Sequence, residues 1–229
     1  MSSLLAVETS AEACSVALLL DEETTVFFEH SAMRHAELLL PAITGLLENA
    51  DIGLSQLDAI AFGRGPGSFT SLRIGIGVVQ GLAWGADIPV VPVSSLAAIA
   101  QDAADAAASE ARLICIAVDA RMGEVYTANF RTGENGIVVA DGGERVCPPA
   151  EVDSIESDSF IAAGNGFERF SELAGLGSNA AECFPAEVPR AETIARLAID
   201  WLSDNSPLPA GLAQPVYVRN KVAVKPPPG

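Results

Sequence analysis

The chain has 229 residues, 49% of them hydrophobic, enough for one large domain or two modest ones around a substantial core. With 13 Lys and Arg against 30 Asp and Glu its net charge is −17, and no run of basic residues exists. That argues against a chain that grips nucleic acid alone, because backbone binding needs clustered cations. No stretch approaches the roughly 18 uninterrupted apolar residues of a membrane span. The N-terminus has no basic region, and Glu8 interrupts its apolar run, against a signal peptide. Cys14, Cys115, Cys147 and Cys183 lie far apart without metal-ligand spacing, and the first two fall in strand-like runs as buried thiols. Together these features describe a soluble protein of a reducing cytoplasm.

Leu4–Glu8 reads as a buried strand, Cys14–Leu20 as a second, and Thr24–Glu29 as a third after a charged turn. His35–Asn49 reads as a helix with a broad apolar arc, which Pro41 is expected to kink. Leu57–Phe62 is a short buried strand running into the glycine-rich turn GRGPG of 63–67, and Ser68 is placed to cap a helix to Gly85. Ile88–Val93 is another strand. Ser94 is placed to cap a helix over Ser95–Ala108. The order is three strands, then α-β-α-β-α.

The chain then begins again. Leu113–Asp119 is a buried strand ending in an acid, Glu124–Arg131 alternates like a strand, and Ile137–Ala140 is a third. Ser159–Ala163 is a strand entering a turn, Ala191–Ser203 an amphipathic helix, Gln214–Val218 a closing strand, and Lys225–Gly229 a loose tail. Both halves open on a three-strand meander whose first strand ends in an acid, Glu8 and Asp119. We read an α/β chain of duplicated βββαβαβα-type architecture, with domains at 1–108 and 109–224 stacked across a cleft and a tail at 225–229.

The helix from Ser68 to Gly85 is unusual. Leu72, Ile76, Val79 and Ala83 form one stripe; Ile74, Gly77, Val78, Gly81 and Gly85 lie opposite. A helix apolar all round is normally buried all round. Each mid-helix glycine costs roughly 1 kcal/mol against alanine, so three spaced by four residues suggest that another backbone comes close. That backbone belongs either to a neighbouring helix of the same domain or to a partner protein.

Enzyme chemistry finds thin support. GRGPGSFTS lacks the lysine of a Walker loop, though a helix N-terminus can hold an anion. Glu8 and Asp119 facing across the cleft suit a hydrated Mg²⁺, and each equally suits a turn cap. Asp119 and Arg121 read best as a turn-stabilising pair. His30 and His35 form no metal-ligand pattern; there is no G-x-S-x-G elbow.

Five stretches carry a resemblance: LLAVETSAEACSVAL, RHAELLLP (34–41), GRGPGSFTSLRIG, VDARMGEVY (118–126) and PVYVRNKVA near the end. In this order the chain resembles the TsaB family, also called YeaZ. The resemblance implies two domains of the actin, sugar-kinase and Hsp70 type. It implies a cytoplasmic, non-catalytic accessory subunit for threonylcarbamoyladenosine (t6A) formation beside the anticodon of tRNAs reading codons that begin with A. The implied partners are the catalytic subunit TsaD in a heterodimer and the ATPase TsaE bound to that pair. TsaC is the implied source of the activated intermediate, and a homodimer is implied when TsaD is absent. ATP and Mg²⁺ are then used by the complex rather than by this chain, and tRNA is met only through the complex. The implied pairing surface falls on the helices 35–49 and 68–85, with His35, Leu39, Ile43, Leu46, Ile74, Gly77, Val78, Gly81 and Gly85 as contacts. Glu8, Ser10, Gly65, Gly67, Asp119 and Arg121 are candidates for a cleft or nucleotide edge, kept for the alternative of an actin-like ATPase or kinase. Two departures stand out. Ser71 replaces the usual glycine of GSFTGLR, and Glu8 stands where nucleotide-binding relatives have Asp.

Overall fold

The computed structural model describes residues 3–30, 34–153, 155 and 159–219. The tail at 225–229 and the end of the PVYVRNKVA stretch lie outside the described residues. In the first half, β1 (Ser3–Glu8), β2 (Ala13–Leu20) and β3 (Glu23–His30) form the meander. They are followed by α1 (His35–Asn49), β4 (Ala59–Gly63), α2 (Phe69–Ala86), β5 (Val90–Val93) and α3 (Ser95–Ala106). The sheet order is β3-β2-β1-β4-β5, antiparallel within the meander and parallel from β1 through β4 to β5.

The second half repeats this plan. Its strands are β6 (Leu113–Asp119), β7 (Val125–Thr132), β8 (Val138–Ala140), β9 (Arg145–Cys147), β10 (Phe160–Ala163) and β11 (Glu182–Phe184). Its helices are α4 (Gly166–Arg169), α5 (Ala174–Asn179) and α6 (Ala191–Asp204). The sheet order is β11-β10-β6-β7-β8, with β9 also on β7. Read from β8, this is the order of the first sheet. Among the described residues α1 has no counterpart: β9 and a 3-10 turn at Pro149–Glu151 stand in its place.

Strand periodicity sorts the core into layers. On the first sheet Leu5, Val7, Val16 and Leu18 face α1 and α2, while Leu4, Ala6, Ala17 and Leu19 face the layer between the sheets. Both faces are covered, which is why β1 reads as a continuous apolar run. The helices of the middle layer are crossed over. α3, from the first half, packs on β6, β7, β8 and β10, and α6, from the second, packs on β1, β2, β4 and β5. Alanines at 98, 100 and 103 of α3 and at 191, 195 and 198 of α6 let these helices and both sheets share one core. Ser94 caps α3 as expected, accepting from the Ala97 amide at 3.1 Å.

Three sequence expectations change. Ser68 stands at the N-cap of α2 but its side chain makes no cap bond; its hydroxyl meets that of Ser71 at 3.0 Å. Residues 214–218 form no strand. Pro215 has no N–H to give, and the segment is tied instead by the Val216 amide to the Arg64 carbonyl at 2.8 Å. α4, α5, β9 and β11 were not foreseen; each is short and lacks periodic apolar residues.

Candidate partner face and interdomain cleft

A buried polar knot fixes the start of α2. The chain leaves β1 at Glu8, which is fully buried, and the Ser10 amide and the Ser95 hydroxyl donate to its carboxylate. Burial raises the Glu8 pKa, and those hydrogen bonds counter the shift only in part. The Thr9 hydroxyl donates to the Ser71 carbonyl at 3.0 Å, and the Ser68 amide to the Ser10 carbonyl at 2.8 Å. Three glycines make room for this. A Cβ on Gly63 would lie 1.8 Å from a Glu8 carboxylate oxygen, on Gly67 2.4 Å from the Ser10 carbonyl, and on Gly75 2.2 Å from the Thr9 hydroxyl. Gly65 holds φ +91°, a left-handed value that suits glycine.

The rest of α2 is a helix with one sealed side and one open side. Leu72, Ile76, Val79 and Ala83 are buried on the first sheet, as their spacing predicts. Opposite them Gly77, Gly81 and Gly85 are exposed, Ile74 and Val78 are half-buried, and a Cβ on any of the three glycines would meet nothing within 4 Å. No neighbouring helix of this chain lies over the glycine column, so packing inside the domain is not its reason among the described residues. Trp84 lies on the same open side and is 73% exposed, a large aromatic that sequence reading passed over. Leu40 and Pro41 on α1 are exposed as well.

The contacts expected on α1 are corrected. His35, Leu39, Ile43 and Leu46 are all buried. They form the inner face of α1, against the sheet. The His35 Nε2 meets the Ala13 carbonyl at 3.1 Å, which makes that nitrogen the protonated one. A helix with one apolar arc turns that arc inward, leaving a different set of residues for any partner.

A cleft of about 710 Å³ opens where Ser10, Gly67 and the first turn of α2 face Asp119, Arg121, Asn165 and Arg169 of the second half. Glu8 and Gly65 do not line it. Asp119 does, but its carboxylate is already engaged: it accepts from Arg169 at 2.6 Å and from the Arg121 amide at 2.8 Å, with the Arg121 guanidinium at 3.5 Å. The two acids therefore do not converge on a magnesium position. The Asp119–Arg121 turn pair is present, in a turn where Arg121, Met122 and Gly123 all have positive φ. Among the described residues no group of three or more His, Cys, Asp or Glu side chains has the geometry to hold a metal ion. No helix among them is long and apolar enough to cross a membrane. Burial lifts the Cys14 and Cys115 thiols to about 11 and about 12, so neither is a ready nucleophile.

The comparisons with known proteins agree with this architecture. The family model described as "TsaD: tRNA N6-adenosine threonylcarbamoyltransferase" matches residues 26–198. The tRNA threonylcarbamoyladenosine biosynthesis protein TsaB of Haemophilus influenzae is 39% identical, over 99% of this chain and 98% of that protein. The chain belongs to the TsaB (YeaZ) family. The TsaB of Escherichia coli is 37% identical over 99% of this chain and 98% of its own length. The solved structure of YeaZ from Pseudomonas aeruginosa is 39% identical with a TM-score of 0.84, covering 95% of this chain and 100% of that one. The two sheets of this TsaB-family chain share one strand order, the duplicated architecture that the repeated meander implied. Its Ser71, in place of the family's glycine, is accommodated by turning its hydroxyl to Ser68.

Proposed function

We propose that this chain is the accessory, non-catalytic subunit of a t6A-forming system, acting in the cytoplasm on tRNAs that read codons beginning with A. It pairs with TsaD through the open side of α2, TsaE joins that pair, and TsaC supplies the activated threonylcarbamoyl group. In the absence of TsaD the same surface pairs two copies of this chain. The half at 1–108 carries the partner surface, and the half at 109–224 completes the body.

The observation that carries this reading is the glycine column with nothing over it among the described residues of its own chain. Glycines cost a solvent-facing helix stability. They are useful where a second backbone must approach, and Ile74, Val78, Trp84 and Leu40 supply the apolar contacts such an approach would bury. The charge distribution agrees. Arg34, Arg64, Arg121, Arg131, Arg145, Arg169, Arg190, Arg196 and Arg219 each face a carboxylate of this chain. That leaves little for phosphates, as suits a subunit that meets tRNA only through its complex.

The test is to mix the chain with TsaD of the same organism and measure mass by light scattering, with and without Gly81→Leu. We expect a one-to-one complex that the variant loses while staying folded. A wild-type chain that stays apart from TsaD removes the partnership. A Gly81→Leu chain that still pairs removes the interface.

A further inference from the structure

We propose that residues 208–219 form a strap across the mouth of the cleft, so that its width is fixed by the chain's own ion pairs in addition to the core that the two sheets share.

The strap belongs to the first half along most of its length. Leu208 exchanges both backbone hydrogen bonds with Val90 at 2.8 Å, and Ala213 is buried in the core under α2. The Val216 amide donates to the Arg64 carbonyl, and the Tyr217 hydroxyl accepts from Arg73 at 3.0 Å. The Arg73 guanidinium lies 3.6 Å over the Phe69 ring, and the Phe69 and Tyr217 rings are 5.5 Å apart, so strap and first turn of α2 form one stack. Arg219 then reaches over the cleft mouth. Its guanidinium donates to the Glu124 carboxylate and, at 3.4 Å, to the Arg121 carbonyl, both on the β6–β7 turn of the second half.

A second crossing meets the strap at Arg64. That residue holds Val216 by its carbonyl and grips Glu144 of the β8–β9 connection by its two terminal guanidinium nitrogens, at 2.8 and 3.2 Å. Ser94 donates to the same carboxylate. The side chains of Arg64 and Glu144 are only 26% and 13% exposed, and those of Arg219 and Glu124 16% and 34%. Pairs this sheltered are screened far less than surface pairs, and the two-pronged grip also fixes orientation. The third crossing, Arg121 to Glu12 at 2.9 Å, has both partners more than half exposed and contributes little. Of the charged residues lining the cleft, Asp119, Arg121, Arg169 and Arg219 pair with one another and with Glu12 and Glu124, while the buried Arg219 Nε has no partner among the described residues.

The experiment places spin labels on opposite rims, at Thr70→Cys on α2 and Glu168→Cys on α4, in the full chain carrying Cys183→Ser. The distance distribution is read by double electron–electron resonance without added ligand. We expect one narrow distribution in the parent and a broader one shifted to longer distances in R219E/E144Q. The charge swap R219E/E124R, with Glu144 intact, is expected to return the narrow distribution. Urea midpoints and circular dichroism identify any variant that fails to fold. A folded R219E/E144Q chain with the parental distribution overturns the proposal. So does a swapped pair that leaves the distribution broad, since the arginine would then matter for its packing and not for its charge.

Discussion

Gly63, Gly67 and Gly75 stand within one stretch of sequence with Gly77, Gly81 and Gly85, and the two sets exist for opposite reasons. At the first set a methyl group would strike Glu8, Ser10 or Thr9; at the second it would touch nothing among the described residues. The first set is an internal requirement of the fold, met wherever the chain is alone. The second makes no contribution to the isolated chain and lowers its stability. A glycine column that weakens its own helix is the feature on which the proposed partner surface rests.

Substitution by alanine separates the two sets. The largest effect is expected at Gly63→Ala and Gly67→Ala, where the new methyl meets a buried carboxylate or a backbone carbonyl. Overpacking of this kind costs about 3 kcal/mol, read as a lowered urea midpoint with an unchanged slope. Equal midpoints for these variants and the parent would show that the knot gives way easily.

The next effect lies in the middle layer, where burial acts on charge instead of shape. Asp102 of α3 is bonded to Thr193 of α6, and burial pushes its carboxyl up to about 7, with Glu187 and Glu192 adding to the rise and Thr193 and Arg190 opposing it. A carboxyl whose folded pKa is raised above its unfolded value of 3.8 holds its proton better when folded. Stability is then fully favoured below about pH 4 and declines as pH rises toward 7, with a slope of order 1 kcal/mol per pH unit. Asp102→Asn is expected to flatten this decline, seen in urea midpoints taken from pH 4 to 8. A variant with the parental slope assigns the pH dependence to other groups.

Gly77→Ala has the opposite sign to Gly67→Ala. It should stabilise the isolated chain by about 0.5–1 kcal/mol, because alanine is the better helix former and the space is open. A loss of stability there would mean that the column is covered even in the isolated chain.

The smallest effect concerns the surface as a whole. A net charge of −17 on 229 residues repels itself, so raising salt from about 0.05 to 1 M should raise the melting temperature by a few degrees. A falling melting temperature would show that the ion pairs outweigh the repulsion.

Much of the fold was legible because periodicity is a local signal. β6 and α1 fall on the residues that their patterns give, and β1, β2 and α6 differ by a residue at one end. The repeated meander was legible too, as was the split of α2 into a buried stripe and an opposite one. What failed depended on tertiary placement. The α1 arc of Leu39, Ile43 and Leu46 reads equally as core or as interface until the sheet is seen beneath it. Glu8 and Asp119 end equivalent strands, yet one is sealed under Gly63 and the other lies in the cleft between arginines. Gly75 went unnoticed because it lies outside the four-residue column. Its signal was Thr9, a polar residue following a buried strand, which needs a backbone acceptor nearby. Residues 214–218 of the strap look like a strand by composition, and Pro215 was the sign that they are not.

Trp84 gives the open side an optical property. The chain has two tryptophans, and while Trp84 is largely in solvent, Trp201 is partly packed into the middle layer. A solvated indole emits further to the red than a shielded one, so the unlabelled chain carries its own gauge of whether α2 is covered. Titration with any protein, or simple concentration of the chain itself, can be followed by the blue shift of that one ring.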